Sequence, residues 1–444
     1  MTHVRLRGTG RHRAVKPVKA GRQMVALATV LSAAGVQAGV AAGTAQADEA
    51  RTWTEGPIFN DPLGTTQEQY AIRTRLVELT DAALPGSTIK VAVYHVWEQT
   101  IVDALKRARD RGVRVQILLD STSKTDRPDN TVYSQLVALF GTSRANPSFV
   151  QLCPTNKSCL GDPKFGKSIM HNKFWLFSAV EGATNVVVQT TANSTPSAST
   201  RFFNDALQLP NNPVLYGAYS DYFDDMAVKD WANWDYRTVS NGRYKAYFFP
   251  RAGTTNSTDT LHSVLNNVSC TYKDAATGAT KKTIVRAAVF QITRQAIADK
   301  LVSLKKAGCT VQIEYATSDS GTWKSMHTTG APPVRCYNDD RDPLNPGGAK
   351  LGTPFIIHTK YVAIDGMYDG ARNKITFTGS QNASNPALRE NDEAYVKIDD
   401  DSVHNTYVQH FNKVWGVAYP GTSDNTNLCK GVKVLPQDGE VKTT

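Results

Sequence analysis

The feature that most constrains this chain is an internal repeat. Residues 90–120 read KVAVYHVWEQTIVDALKRARDRGVRVQILLD, and residues 286–316 read RAAVFQITRQAIADKLVSLKKAGCTVQIEYA. The two copies align without a gap at a constant offset of 196, and ten positions are identical, including Gln99/Gln295 and Gly112/Gly308. A chain with such a repeat contains two versions of one structural unit, so any fold assigned to it must have a place for both.

Each copy of the repeat predicts a strand, a helix and a second strand. An apolar run rich in β-branched residues comes first, and apolar residues then recur at helical spacing, at Ile101, Leu105 and Ala108 in the first copy. A glycine ends the helix before the second run. Such a unit places two parallel strands side by side with the helix against the sheet. The sequence therefore predicts an α/β protein of two pseudo-symmetric α-β-α halves, with mixed, mainly parallel sheets and the active site at their interface.

The pattern continues beyond the repeat and sets the expected domain boundaries. Apolar strands are predicted around 174–177 and 361–364, and a long helix with late tryptophans closes each half, over 216–234 and 403–415. The segment 240–283 is rich in Ser, Thr, Asn and Gly, which is typical of a connection. The predicted organisation is a signal peptide (1–47), an N-terminal half (48–239), a crossover segment (240–283), a C-terminal half (284–419) and a C-terminal tail (420–444).

The net charge of +10 has to be located along the chain before it can indicate a partner. Residues 1–47 contain seven Lys and Arg and no Asp or Glu, followed within the segment by an apolar run and by Ala45-Gln46-Ala47. A basic region, an apolar region and an A-x-A site predict a secretory signal peptide cleaved near Ala47. The mature chain then has a net charge of 10 − 7 = +3, so we expect a secreted protein without the strongly basic character of many nucleic-acid binders.

The six cysteines all follow the predicted cleavage point. An even number in an exported chain indicates disulfides rather than free thiols. Cys153 and Cys159 are close enough to form a local bridge, and the other four, Cys270, Cys309, Cys336 and Cys429, allow three connectivities. No C-x-x-C pair is present, so zinc is the less favoured interpretation.

Two short polar motifs occupy corresponding places in the halves. They are His171-Asn172-Lys173 and His358-Thr359-Lys360, and each follows an apolar approach. A single H-x-K occurs by chance in a chain of this composition. Here each copy is followed by an asparagine, Asn193 or Asn382, and then by an acidic residue, Asp205 or Glu393. Four matched polar groups on a duplicated scaffold indicate a shared site.

This set of residues suits phosphodiester chemistry. On a strand, residues i and i+2 point to the same side, so the His and Lys of each motif can reach one phosphate together. One histidine would attack phosphorus, while the other protonates the leaving alcohol and then activates water. Lysines and asparagines would hold the non-bridging oxygens. Asp205 and Glu393 would each fix a ring tautomer by binding the second ring nitrogen, and the scheme requires no metal or other cofactor.

The two motifs resemble the signature of the phospholipase D superfamily, H-x-K-x4-D followed by G-S-x-N, which occurs twice per active unit. The second copy matches fully, from His358 through Asp365 to Gly379-Ser380-Gln381-Asn382. The first copy has Ser178 in place of the Asp and Thr190-Thr191-Ala192-Asn193 in place of G-S-x-N. The resemblance implies that Thr191 and Ser380 line the substrate site with the two asparagines, that Asp365 supports its motif, and that His171 is the nucleophile and His358 the general acid.

Three functions remain open on the sequence. The first is a secreted phospholipase D, resembling the bacterial enzymes, that hydrolyses glycerophospholipids to phosphatidic acid and free headgroup or transfers the phosphatidyl group to an alcohol. The second is a secreted, metal-independent nuclease of the same superfamily, and the third is a non-enzymatic phosphate-binding module, which the degenerate first motif favours. For the first function we expect a phospholipid at a membrane surface and water or a small alcohol as partners. Because one chain carries both motifs, we expect a monomer.

Overall fold

The computed structural model describes residues 51–343 and 347–420. The predicted signal peptide, almost all of the predicted tail, and Cys429 lie outside the described residues. Within them, no helix has the length and apolar character needed to cross a membrane.

The first half is built around one mixed sheet. Its strands are β1 (Gly56–Phe59), β2 (Thr88–Val93), β3 (Arg114–Leu119), β4 (Phe149–Leu152), β5 (Lys173–Val180), β6 (Ala183–Thr190), β7 (Phe202–Phe203) and β8 (Asp205–Leu209). Its helices are α1 (Thr66–Gln69), α2 (Ala71–Asp81), α3 (Gln99–Asp110), α4 (Thr122–Thr125), α5 (Val132–Phe140), α6 (Pro196–Thr200) and α7 (Pro213–Val228). The strand order in the sheet is β1-β8-β6-β5-β2-β3-β4, and β7 lies outside it.

The second half repeats this arrangement. Its strands are β9 (Arg237–Asn241), β10 (Tyr244–Phe248), β11 (Val268–Ser269), β12 (Thr271–Lys273), β13 (Thr280–Lys282), β14 (Ile284–Ile292), β15 (Thr310–Ser318), β16 (Val334–Cys336), β17 (Asn338–Asp339), β18 (Phe355–Ile357), β19 (Lys360–Tyr368), β20 (Ala371–Gly379), β21 (Ala394–Asp399) and β22 (Tyr419–Pro420). Its helices are α8 (Thr260–Asn266), α9 (Gln295–Lys306), α10 (Ser320–Met326), α11 (Asn385–Arg389) and α12 (Asp401–Val417). The main strand order is β22-β16-β15-β14-β19-β20-β21-β10-β9.

The predicted strand–helix–strand units are confirmed in both halves. Strands β2 and β3 are parallel with Val91 opposite Ile117, and β14 and β15 are parallel with Ala287 opposite Ile313. The intervening helices α3 and α9 bury the apolar faces that the spacing predicted. The α/β class, the two halves and the mixed sheets are thus as expected from the sequence.

Within the two main sheets, parallel pairing is confined to these units and to β4 and β16 beside them. The chain continues in each half through an antiparallel hairpin, β5–β6 and β19–β20, so antiparallel pairs outnumber parallel pairs in both sheets. A hairpin needs only a short turn, whereas each further parallel strand needs a crossover of a dozen or more residues. The expectation of mainly parallel sheets therefore holds only for the repeated units.

Two boundaries predicted from the sequence, the end of a helix and the start of the second sheet, differ from those in the structure. The helix predicted over 216–234 ends at Val228, because Lys229 adopts a left-handed conformation with φ 62° and caps it. Strand β10 pairs with β21 of the second sheet, and β9 pairs with β10, so the second sheet begins at Arg237, before the predicted crossover segment.

A shared core joins the halves. One cluster of buried side chains contains residues of both sheets together with the inner faces of α7 and α12, including Phe174, Tyr222, Phe248, Tyr361 and Phe411. Aromatic side chains of this size supply most of the burial energy in such a core. The core therefore fixes the relative positions of the strand ends at which the polar motifs lie.

Disulfides brace both halves. Cys153 bonds Cys159, the local bridge predicted from the sequence, and Cys270 bonds Cys309. Cys336 is disulfide-bonded as well.

Candidate active site

Both H-x-K motifs lie at the beginnings of corresponding strands, and the opposite half holds each of them. His171 precedes β5, and its backbone N–H donates to the carbonyl oxygen of Asp392 at 3.0 Å. His358 precedes β19, and its backbone N–H donates to the carbonyl oxygen of Phe203 at 3.0 Å. The contact of His358 continues the parallel pairing of β7 with β18 across the halves, and the contact of His171 continues a parallel bridge between Met170 and Asp392. The structure therefore brings the two motifs to the interface, where the sequence predicted the site.

The ring of each histidine contacts a side chain from the other half. His171 Nδ1 lies 2.8 Å from Glu393 Oε1, as expected for an acidic residue that fixes the ring. His358 Nδ1 lies 2.7 Å from Asn204 Oδ1. The prediction that Asp205 would bind this second ring is wrong, since the neutral amide of the preceding residue does so.

Strand geometry explains the error at Asp205. Asn204 immediately precedes β8 and Glu393 immediately precedes β21, so these two residues occupy equivalent positions. The next residue along a strand points to the opposite side. The Asp205 carboxylate accepts hydrogen bonds from Tyr407 at 2.9 Å and from Thr378, and burial raises its pKa.

The two lysines are as buried as the histidines. Lys173 Nζ donates to the carbonyl oxygen of His171 at 2.7 Å, and Lys360 Nζ donates to that of His358 at 2.6 Å. Burial raises the pKa of Glu393 to about 8, and the ammonium groups of Lys173 and Lys360 oppose this rise. Because both lysines act on one carboxyl group, the charged groups of the two motifs form a single cluster.

The motif residues downstream of the lysines divide into two kinds. Thr191 Oγ1 donates to Asn204 Oδ1 at 2.9 Å, and Ser380 Oγ accepts from the backbone N–H of Ala394 at 3.1 Å. Both hydroxyl groups therefore support the loops that carry the ring partners. Asn193 and Asn382 are buried in the same loops, and a substrate-binding role for these four residues stays a prediction.

The residue that completes the second motif lies away from the cluster. Asp365 is on the distal part of β19, opposite Lys374, and its carboxylate pairs with Arg372 at the surface. Ser178, at the matching position of the first half, accepts a hydrogen bond from the backbone N–H of Thr88 at 2.8 Å. Both side chains thus contact local groups on their own sheets, and the structure shows no contact of Asp365 with a histidine or lysine of the described site.

Two aromatic residues at the site were not singled out from the sequence. Lys173 Nζ lies 5.4 Å from the centre of the Tyr94 ring, and Lys360 Nζ lies 5.2 Å from that of Phe290. Tyr94 and Phe290 are 196 positions apart, at the ends of the first repeated strands. Their matched place in the repeat is the signal that would have found them.

Asp392 was also missed, because its contacts are made through a loop of the other half. Its Oδ2 and Oδ1 accept from the backbone N–H groups of Cys159 at 2.6 Å and Leu160 at 2.9 Å. The Cys153–Cys159 disulfide closes this loop. Burial raises the pKa of Asp392 to about 8, against the effect of these hydrogen bonds.

The described residues offer one group with metal-ligand spacing, Cys153, Cys159 and Asp392. The two sulfur atoms are joined in a disulfide, so the thiolates that would bind a metal are not present. At the histidine cluster, the buried ammonium groups of Lys173 and Lys360 would oppose a cation and attract an anion. The geometry therefore favours a phosphate between the two motifs.

Comparison with known proteins agrees with this geometry. The family model described as cardiolipin synthase, PLD-like domain, matches residues 77–227 and 274–415, once in each half. The chain belongs to the phospholipase D superfamily. Members of this superfamily are phosphodiester-processing enzymes. No curated protein matches the chain significantly.

Two solved structures share a similar fold over most of the chain. Phosphatidylserine synthase from Haemophilus influenzae Rd KW20 aligns with 82% of this chain and 87% of its own at 13% identity, with a TM-score of 0.52. Polyphosphate kinase from Porphyromonas gingivalis aligns with 81% of this chain at 13% identity, with a TM-score of 0.50. The alignment spans half of the kinase, 50% of its length. At this identity the likeness concerns the fold.

Proposed function

We propose that the protein is a phospholipase D that hydrolyses glycerophospholipids to phosphatidic acid and the free headgroup through a phosphohistidine intermediate. The observation that carries this proposal is the pairing of the motifs across the halves. His171 is held by Glu393, and His358 by Asn204, each through Nδ1. In each ring, Nε2 is therefore the nitrogen that would act on the phosphate, as in a two-histidine displacement.

In the proposed reaction, one Nε2 attacks phosphorus while the other ring donates a proton to the leaving alcohol. The second ring then removes a proton from water, which displaces the first ring from phosphorus. With a small alcohol in place of water, the same step transfers the phosphatidyl group. Lys173 and Lys360 would stabilise the negative charge that develops on the non-bridging oxygens, and burial strengthens this effect because water does not screen it.

The setting of the reaction follows from the sequence expectations. We propose that the chain is exported, cleaved near Ala47, and acts as a monomer on lipid at a membrane surface. Mass spectrometry of the secreted protein would identify its first residue. Both histidines are 0% exposed, so the proposed reaction takes place at a buried site.

The test uses the purified protein in EDTA with three substrates: phosphatidylcholine vesicles, supercoiled plasmid and p-nitrophenyl phosphorylcholine. We expect choline release from vesicles, and we expect His171→Ala and His358→Ala each to lower it by about 10² to 10⁴-fold. Plasmid cleavage without choline release would replace the lipid substrate with nucleic acid. Binding of phosphate without turnover of any substrate would support the non-enzymatic function instead.

A matched control is available in the chain. His404 is buried on α12, and its Nδ1 contacts the backbone oxygen of Ile375 at 3.2 Å rather than any group of the cluster. His404→Ala removes a buried imidazole of the same size, so it controls for the effect of a cavity. Loss of activity in this variant equal to that in His171→Ala would contradict the assignment of the site.

A further inference from the structure

The two histidines are held by matching contacts, but the side chains that their Nδ1 atoms contact differ in chemical nature. Each backbone N–H binds the other half, each lysine binds the carbonyl oxygen of its histidine, and each Nδ1 contacts a side chain from the other half. For His171 that side chain is the carboxyl group of Glu393. For His358 it is the amide of Asn204. The duplicated site is therefore asymmetric in its capacity to hold a proton.

The orientation of the Asn204 amide fixes the tautomer of His358. Its Nδ2 donates to the carbonyl oxygen of Ala198 at 2.9 Å, which turns Oδ1 toward the ring. Thr191 also donates to this Oδ1. Since an amide oxygen can only accept, His358 carries its proton on Nδ1, and the neutral ring has its lone pair on Nε2.

The His171–Glu393 pair can hold one proton more than the His358–Asn204 pair. A carboxylate stabilises an imidazolium, or takes up the proton itself, whereas an amide does neither at ordinary pH. Burial raises the pKa of Glu393 to about 8, which favours retention of this extra proton near neutral pH. The pair therefore has a proton to deliver through Nε2 of His171.

The charged and aromatic groups described around the two rings do not reverse this difference. Each ring has one lysine two residues along its own strand, and both ammonium groups disfavour an imidazolium. Around His358 the packed rings are Phe202 and Phe290, which carry no charge. Around His171 the packed ring is Tyr94. The Asp205 carboxyl, the nearest acidic group on β8, is bound to Tyr407 and Thr378.

We infer that His358 is the nucleophile and His171 the general acid, the reverse of the order that the superfamily resemblance implied. This inference rests on the proposed function. In the first step the lone pair on His358 Nε2 forms the N–P bond as the P–O bond to the leaving group breaks, and His171 Nε2–H transfers its proton to the leaving oxygen. In the second step His171 takes a proton from water or an acceptor alcohol. The oxygen of that water or alcohol then forms a P–O bond with phosphorus as the N–P bond to His358 breaks. This step returns both rings to their starting protonation states.

The test uses a leaving group that needs no proton. Nitrophenolate leaves unaided, so with p-nitrophenyl phosphorylcholine the first step should survive loss of the acid but not of the nucleophile. We expect His171→Ala to release a burst of one equivalent of nitrophenol and then stall, with the phosphoryl group mapped to His358 by mass spectrometry. We expect His358→Ala to release no burst.

Each other outcome has a definite meaning. A burst from His358→Ala with label on His171, or a burst from neither variant while the wild type turns over, overturns the inference and leaves the proposed function standing. A wild-type protein that turns over no phosphodiester overturns the proposed function itself.

Glu393→Gln provides a second measurement that does not remove a ring. Gln retains an acceptor for His171 Nδ1 but cannot hold the extra proton. The variant therefore keeps the positioning role of Glu393 and removes its capacity to hold a proton for His171. We expect this variant to lower kcat at least tenfold more for phosphatidylcholine, whose alcohol leaving group needs a proton, than for the nitrophenyl ester. Equal losses on the two substrates would overturn the inference, because a purely structural role would not depend on the leaving group.

Discussion

Glu314 offers a stringent test of the packing described here. It lies in β15 between Ile313 and Tyr315, which face the core of the second half, so its own side chain points to the opposite side of the sheet. It is 0% exposed, and neither carboxyl oxygen has a hydrogen-bond partner among the described residues. The position 196 residues earlier in the duplicated sheet is Leu118, which is also 0% exposed. The first half thus shows that leucine suits this place in the fold.

We predict that Glu314→Leu stabilises the protein. A buried polar group without a partner costs about 1–3 kcal/mol, and leucine adds apolar burial in a similar volume. The expected gain of about 1–3 kcal/mol corresponds to a rise in Tm of roughly 1–4 °C for a domain of this size. Arg335 attracts the carboxylate and would reduce the gain, yet burial still raises the pKa of Glu314 well above its usual value.

The sign of the pH dependence follows from this raised pKa. The folded state favours the protonated carboxyl, so the wild type loses stability as the pH rises from the unfolded value of about 4.3 toward the folded one. The leucine variant lacks this loss, so its advantage should be larger at pH 8 than at pH 5. Urea unfolding followed by circular dichroism at both values measures the difference, and Leu118→Glu is the reciprocal control, expected to destabilise. An unfolding midpoint of Glu314→Leu at or below that of the wild type at both pH values would refute the reasoning.

Three further predictions concern the site and its supports. Asp205→Asn should change kcat by less than about tenfold, or about 1.4 kcal/mol of activation free energy, because Asp205 contacts no histidine ring; a loss as large as that of His358→Ala would restore the original assignment. Replacing both Cys153 and Cys159 by Ser should cost about 2 kcal/mol of stability, against about 4 kcal/mol for Cys270 and Cys309, since the latter close a longer loop. Only the first pair should also lower kcat at a temperature where both proteins are folded, since its loop binds Asp392. Asp365→Ser, which installs the residue of the first half, should change the unfolding free energy by less than about 1 kcal/mol and leave turnover of a soluble phosphodiester unchanged, as a steady-state assay would show.

The positions of the motifs were predictable because they depend on local spacing. The repeat at offset 196 identified two strand–helix–strand units, and the H-x-K motifs that follow lie at the beginnings of equivalent strands. Alternation along a strand and apolar spacing along a helix are properties of a short segment, so they can be read without knowledge of the fold. The same holds for the local Cys153–Cys159 bridge.

The partners of the motifs were less predictable, because they depend on which half faces which. The His171–Glu393 contact joins residues 222 apart, and the His358–Asn204 contact joins residues 154 apart. The spacing along the sequence predicts Asp205 as the ring partner, but β8 begins at Asp205, so that Asn204, just before the strand, faces the ring. A shift of one residue reverses the side of a strand, and local spacing does not fix strand starts to that precision.

The sequence by itself thus determined the duplication, the class of fold and the four residues of the two H-x-K motifs. Only the tertiary structure decided that each histidine takes its partner from the other half, and that one partner is a carboxyl group and the other an amide. The reason is that the chain repeats its local pattern almost unchanged, while the packing of the two copies against each other lets equivalent positions carry different chemistry.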